Sequence, residues 1–331
     1  MFRNPRLLLF AFALVAGAVL VVLLASTIGR SPVRPPLPNP NGYDDFIKAS
    51  EALLWNVDDF PTLDHDSFAA LVSTNAEPMR LLRLGLTRQC VMPTDSALTN
   101  NYNLLPGMRR LAQLLTAEGR LREMEKRPAE AAQSYVDALR YGNEVSRGGF
   151  LINRLLGITC EAIGYAPLAK LAPKLNPDEA CAVLRDLDKL DVGRVTWAEV
   201  QQSERRFMRY QRGKHFNPIM WVMGWWQIRQ AMQRAETKTK TVVARERLLA
   251  AELALRCYQS AHGHPPARLD DLVTNYLSHV PQDSFSRQPL VYCAQGTNWL
   301  LYSVGSDGVD DGGKPVGRGL ASKGDLFFDS P

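Results

Sequence analysis

The chain holds 331 residues, 46% of them hydrophobic and 22% charged. That is enough apolar material for a packed core, which excludes a disordered or collagen-like chain. The net charge of +5 is short of the basic excess of a dedicated nucleic-acid binder, and five cysteines at this length exclude a disulfide-scaffolded miniprotein.

Residues 7–28 carry no charge. About 20 helical residues span a bilayer's hydrocarbon core, whereas a signal peptide's apolar region has about 7–15. Ala25-Ser26-Thr27 is also a poor cleavage site. The expectation is an uncleaved N-terminal transmembrane helix that contacts the lipid bilayer through 7–28. Arg3 and Arg6 precede it, and Arg30 and Arg34 follow it, so the positive-inside bias is nearly even. Long domains translocate largely regardless of charge. Residues 1–30 therefore read as a cytoplasmic tip plus anchor, single-pass in the inner (cytoplasmic) membrane, with the bulk of the chain outside. Residues 31–42 are proline-rich, and proline fixes φ and cannot donate, so they read as a stiff spacer.

Residues 43–237 read as a helical domain. Strand-like alternation is absent, and breakers recur at Pro61, Pro78, Pro93, Pro106, Pro128, Pro173 and Pro177. Asn176-Pro177-Asp178-Glu179 places an N-cap, an N1 proline and an N3 glutamate, the pattern of a capping box. Behind it, Ala180, Val183, Leu184, Leu187 and Leu190 recur at helical spacing and predict one buried stripe. Leu115, Gly119, Ala131, Tyr135 and Ala138 resemble one tetratricopeptide-type helical hairpin, where small residues let two helices approach. A shift of 34 residues matches poorly, so this is one unit and not an array. An ordinary antiparallel helix pair is the alternative.

Between 204 and 247 eleven Lys and Arg face only Glu204, Glu236 and Glu246. An apolar stretch with Trp221, Trp225 and Trp226 sits among them, too short to span a bilayer. It predicts either a plug in the core or an interfacial contact with a membrane or a protein partner. Nucleic acid is not expected as a partner.

Residues 238–331 read as a small α+β module. Residues 239–261 form a helix ended by His262-Gly263-His264-Pro265-Pro266. Leu269, Leu272, Val273, Tyr276 and Leu277 form a second, short helix. Residues 290–293 and 299–303 are β-rich and are joined as a hairpin through 294–298. The order of Tyr258, His262-Gly263 and Pro265, then Asp283-x-Phe285, then Tyr302-Ser303-x-Gly305-x-Asp307-Gly308 resembles the globular head of the type II secretion major pseudopilins. That resemblance implies a calcium ion in the loop after the last strands, with Asp307 and Asp325 as matching ligands. Asp310 and Asp311 lie in the same glycine-rich loop and complete the expected metal set, since calcium takes six to eight hard oxygen ligands. The prepilin-peptidase signature of that family has no counterpart near Arg6-Leu7, and here the whole helical domain separates membrane segment and head.

The fold class expected is mostly α with a small α+β C-terminal module and an N-terminal transmembrane helix. No P-loop, G-x-S-x-G, H-E-x-x-H or G-x-G-x-x-G is present, which weighs against an enzyme of those classes. Asp64-His65-Asp66 reads as a surface turn, with a catalytic role as its rival. Cys257, His262, His264, His279 and Cys293 lack zinc-ligand spacing. For the cysteines, Cys257–Cys293 and Cys160–Cys181 are the competing pairs. The function expected is a membrane-anchored envelope protein without evident catalysis, with a protein partner on its helical domain. The alternative is an envelope enzyme with an unrecognised site in that domain.

Overall fold

The structure, a computed structural model, describes residues 36–55, 60, 63–93, 101–212, 218–317 and 323–330, the side chains of 101–102 and 207–228 excepted. The expected membrane segment at 7–28 lies outside these residues. The described chain is mostly helical, with a small antiparallel sheet of two strands. The helices are α1 (Gly42–Glu51), α2 (His65–Thr74), α3 (Ala76–Leu86), α4 (Leu105–Met124), α5 (Pro128–Ser146), α6 (Leu151–Leu171), α7 (Pro177–Val192), α8 (Trp197–Arg212) and α9 (Pro218–His262), followed by β1 (Val291–Gln295) and β2 (Asn298–Tyr302).

Local chemistry sets the helix starts. Asn41 caps α1, accepting from the Tyr43 N–H at 3.2 Å. Asp64 caps α2 through the Ser67 N–H at 2.9 Å. At α7 the reciprocal box is complete: Asn176 accepts from the Glu179 N–H, and Glu179 accepts from the Asn176 N–H, both at 3.0 Å. Its expected stripe, Ala180 to Leu190, is buried throughout. Each such cap satisfies donors that the first helical turn leaves unpaired.

Two apolar clusters make the core, and α5 and α6 contribute to both. One side of this pair carries α1–α4; the other carries α7, α9 and the C-terminal hairpin. The α4–α5 hairpin brings Gly119 against the Tyr135 ring. The α5–α6 contact is closer still. A Cβ on Gly157 would overlap Ser146 Oγ and the Gly142 carbonyl oxygen, and one on Gly142 would sit 2.6 Å from the Gly157 carbonyl oxygen. Only glycine permits such backbone approach. By composition α6 is long and apolar enough to cross a membrane, but two-thirds of that stretch is buried inside the protein. It is the central helix of the body.

Helix α9 runs 45 residues without a break, so residue 238, the expected start of the C-terminal module, falls inside it. Among the described side chains of α9, buried positions run from Ala235 through Thr239, Val243 and Leu248 to Cys257. Gly263, at φ +79°, ends the helix. The hairpin docks back on α9: Trp299 Nε1 donates to Glu252 at 2.8 Å and Gln259 donates to the Thr297 carbonyl at 2.7 Å. Its loop is tighter than 294–298. Only Gly296 and Thr297 lie between the strands, because Gly296 takes φ +65° and lets Gln295 pair with Asn298. The expected helix through Leu277 is a single 3₁₀ turn, Leu269–Leu272, after which the Thr274 N–H turns back to the Leu277 carbonyl.

The disulfide joins Cys181 on α7 to Cys257 on α9, with Cα atoms 6.0 Å apart. Neither expected pair, Cys257–Cys293 or Cys160–Cys181, forms. Cys293 falls on the exposed side of the β1 pleat, and Cys160 is buried toward the α1–α4 side of α6. Antiparallel packing of α7 on α9 instead brings the first turn of one beside the last turns of the other.

Candidate functional site

The chain leaving β2 enters a glycine-rich loop that folds around a returning C-terminal segment. Ser303 and Leu326 exchange backbone hydrogen bonds at 3.0 and 2.8 Å. Beyond them, the Val316 N–H donates to the Asp325 carbonyl at 2.9 Å, and the Asp325 N–H donates to the Lys314 carbonyl at 2.7 Å. Asp325 is thereby carried into the loop and is fully buried. One of its carboxylate oxygens accepts from the Gly313 N–H at 2.7 Å, the other from the Asp311 N–H at 3.4 Å. A buried carboxylate needs such donors, or its desolvation is uncompensated.

The other expected ligands lie around it. Asp310 accepts from the Tyr302 hydroxyl and the Gly312 N–H, both at 2.9 Å. Burial and the Asp310 carboxylate push the Tyr302 hydroxyl up to about 12. Asp307 accepts from the Val309 N–H at 3.2 Å and from the Gly324 N–H at 3.4 Å. Asp307 and Asp310 are exposed and Asp311 is half-buried. Residues Gly305, Gly308, Gly312, Gly313 and Gly324 all take positive φ. At Gly305 a Cβ would overlap the Gly324 carbonyl oxygen, so this glycine lets the loop close on the returning segment. Asp283 supports the assembly from below: it is buried and accepts from the Val304 N–H and the Phe285 N–H, both at 2.8 Å.

The structure thus brings Asp307, Asp310, Asp311 and Asp325 into one loop system of hard oxygen donors. Among the described residues no three His, Cys, Asp or Glu side chains form a metal-holding group. Carboxylate and backbone oxygens are the donor types that calcium takes.

The other sequence candidates do not converge. Cys257 is in the disulfide, His262 stacks on Tyr258 with ring centres 4.0 Å apart, and His279 faces Asp191 at 3.4 Å. Asp64 serves as an N-cap, while His65 and Asp66 pair with each other at the surface.

A second constellation is not visible in the sequence. Arg154 and Glu161, both fully buried on α6, form a two-pronged ion pair at 2.8 and 3.1 Å. Arg194, in the turn between α7 and α8, pairs with the buried Glu246 of α9. Arg194 also pairs with Asp191 at 3.3 Å, and Arg247 grips Asp191 at 3.0 and 3.1 Å. Asp191, Arg194, Glu246 and Arg247 border a small cleft open to solvent, with His279 and Asp188 on its rim. Ser278 donates to Asp188 at 2.9 Å, and Arg247 donates to the Gln282 carbonyl at 2.9 Å. The cleft residues therefore clamp segment 278–282 to α7 and α9.

Burial pushes the Glu246 carboxyl up to about 7, against the attraction of Arg194 and with the repulsion of Glu161. Compared with protein-family models, curated proteins and solved structures, the chain matches none of them.

The raised Glu246 has a stability consequence. Its contribution is fully present below the ordinary 4.5 and is lost as pH rises through about 7, because the unfolded chain then releases the proton more readily. Denaturant midpoints of the wild-type chain should therefore fall more steeply from pH 5 to pH 8 than those of Glu246→Gln. Parallel profiles for the two proteins would contradict the assignment.

Proposed function

We propose that this protein is a single-pass protein of the inner membrane whose folded part lies outside the cytoplasm and holds partners instead of transforming a substrate. The uncharged run 7–28 supplies the anchor and the proline-rich residues from 31 up to the Asn41 cap of α1 the spacer, since Asn41 and Gly42 already belong to the folded body. The helical body offers the binding surface. The C-terminal region is a pseudopilin-like head, stiffened by calcium at Asp307, Asp310, Asp311 and Asp325.

The observation that carries this reading is the Cys181–Cys257 bond between two packed helices. Disulfides persist in oxidising spaces and are rare where thioredoxin and glutathione keep thiols reduced. The polar groups of the cleft are engaged within the chain, clamping segment 278–282. One feature favours the alternative, an envelope enzyme: Glu246, whose carboxyl burial raises, borders that cleft, and general acid–bases work best when raised toward the operating pH.

Protease added to spheroplasts should digest the chain beyond the anchor, and unreduced peptide mapping by mass spectrometry should recover Cys181 joined to Cys257. Protection in sealed spheroplasts together with five alkylatable thiols would overturn the location.

Calcium has its own test. Added calcium should raise the melting temperature of the full chain in detergent, and Asp307→Ala should abolish that rise while leaving the buried Asp325 to close the loop. A wild-type melting temperature indifferent to both calcium and chelator would remove the ion from the account.

A further inference from the structure

Leu277, His279 and Pro281 form one wall of the cleft beside Glu246. The contacts of this segment with the helices under it run through side chains. The Ser278 N–H and hydroxyl both donate to Asp188 of α7, at 3.1 and 2.9 Å. His279 meets Asp191 of α7 at 3.4 Å, and Arg247 of α9 donates to the Gln282 carbonyl at 2.9 Å. Ser278, His279 and Gln282 are themselves exposed. The two ends are pinned more firmly, by the buried Leu277 and by the Leu290 N–H, which donates to the Pro281 carbonyl at 3.0 Å. A strap held in its middle by solvent-facing polar contacts is the kind of element that opens locally at small cost.

What lies under the strap is not fully paired. Glu246 bonds Arg194 through one carboxylate oxygen. Its other oxygen, Oε1, is buried and has no partner among the described residues, and the same holds for Arg194 Nη1. Charged groups surround the carboxyl on every side. Helix α6 supplies Arg154 and Glu161, and the α7–α8 turn supplies Arg194. Helix α7 brings Asp188 and Asp191, the strap brings His279, and α9 itself carries Arg245 and Arg247. Tyr165 of α6 feels both Glu246 and Asp329. A buried carboxylate oxygen without a donor is costly while charged, and much less so once protonated. Glu246 borders the cleft, so a lifted strap lets water reach that oxygen.

We propose that segment 277–282 is a pH-governed strap over the cleft: it stays seated while Glu246 carries a proton and lifts once that carboxyl ionises and draws in water. Under the seated strap burial pushes Glu246 up to about 7, whereas hydration under a lifted strap returns it toward the ordinary 4.5. The preference for the seated state is therefore fully present below 4.5 and is lost as pH rises through about 7, since the open state gives up the proton more readily. His279 acts in the same direction, because an imidazole pairs with a carboxylate as an ion only while protonated. Acid thus closes the cleft, and neutral solution opens it and bares Arg194 and Glu246.

Hydrogen exchange of the full chain, read at the Ser278 and Leu290 amides, tests the strap. After correction for intrinsic exchange, their opening constants should rise by at least about tenfold from pH 5 to pH 7 and level off above it. They should be indifferent to about 1 M urea, the mark of a local opening that exposes little surface. Glu246→Gln cannot ionise and should flatten the profile. His279→Gln should keep most of the rise, which separates the carboxyl from the imidazole. Asp188→Asn loosens the strap without touching Glu246, and should raise both constants at every pH while the rise from pH 5 to pH 7 persists. A flat wild-type profile, or an opening that follows urea, would overturn the proposal. So would a rise that survives Glu246→Gln or disappears in His279→Gln. If Glu246→Gln does not fold, the wild-type profile, its urea dependence and the His279→Gln profile still decide the matter.

Discussion

Helices α5 and α6 touch backbone to backbone where Gly142 meets Gly157, and the same contact buries Arg154 against Glu161. The two facts depend on each other. Close approach excludes water from the guanidinium and the carboxylate, so neither can ionise safely without its partner. Removing one member of such a pair costs about 3–5 kcal/mol, since the other charge is left buried alone. Ser146, one turn beyond Gly142, donates to the Gly142 carbonyl and lies 3.4 Å from Arg154. Any side chain added at Gly157 would displace that hydroxyl. Both apolar clusters of the protein include residues from α5 and α6, so the spacing of this one pair sets the position of both.

The second buried pair extends the arrangement across the molecule. Arg194 reaches Glu246 from the α7–α8 turn, and that turn is itself held by α5, where Asn143 accepts from the Val195 N–H at 2.8 Å. Glu246 in turn feels Glu161. Four charges in a poorly hydrated space are stable in one mutual placement, which fixes the register of α9 against α6 and α7. From that register follows the seat of the hairpin on Glu252 and Gln259, and then the closure of the acidic loop around Asp325. Tyr165 of α6 completes the circuit by donating to the carbonyls of Arg245 and Phe328.

What the sequence made legible was local. The capping box at Asn176, the stripe from Ala180 to Leu190, and a closely approaching helical hairpin through Gly119 and Ala131 each rest on spacings within two helices. The β-rich runs were legible too, although the turn between them depended on Gly296 alone. Longer-range facts were not. The Cys181–Cys257 bond needs the antiparallel packing of α7 on α9, which no spacing encodes. The continuity of α9 across residue 238 was hidden by a change in composition, since a helix can pass from apolar to basic to core-facing without a break. The buried charges left one trace: Arg154 and Glu161 stand two turns apart on one face of a mostly apolar helix. Charges so placed in a core helix must find each other. The acidic loop was legible as a set of residues, but the burial of Asp325 depends on a backbone exchange between Ser303 and Leu326 that only the folded chain makes.

The central claim is that one glycine contact and its buried charges make both apolar clusters a single cooperative unit. Native-state hydrogen exchange on the full chain tests it, comparing wild type with Arg154→Met. Amides at Leu82 and Leu115 in one cluster, and at Leu184 and Leu249 in the other, should open with one common free energy and drop together in the variant. Separate opening energies in the wild type, or a drop confined to one cluster, would contradict the account.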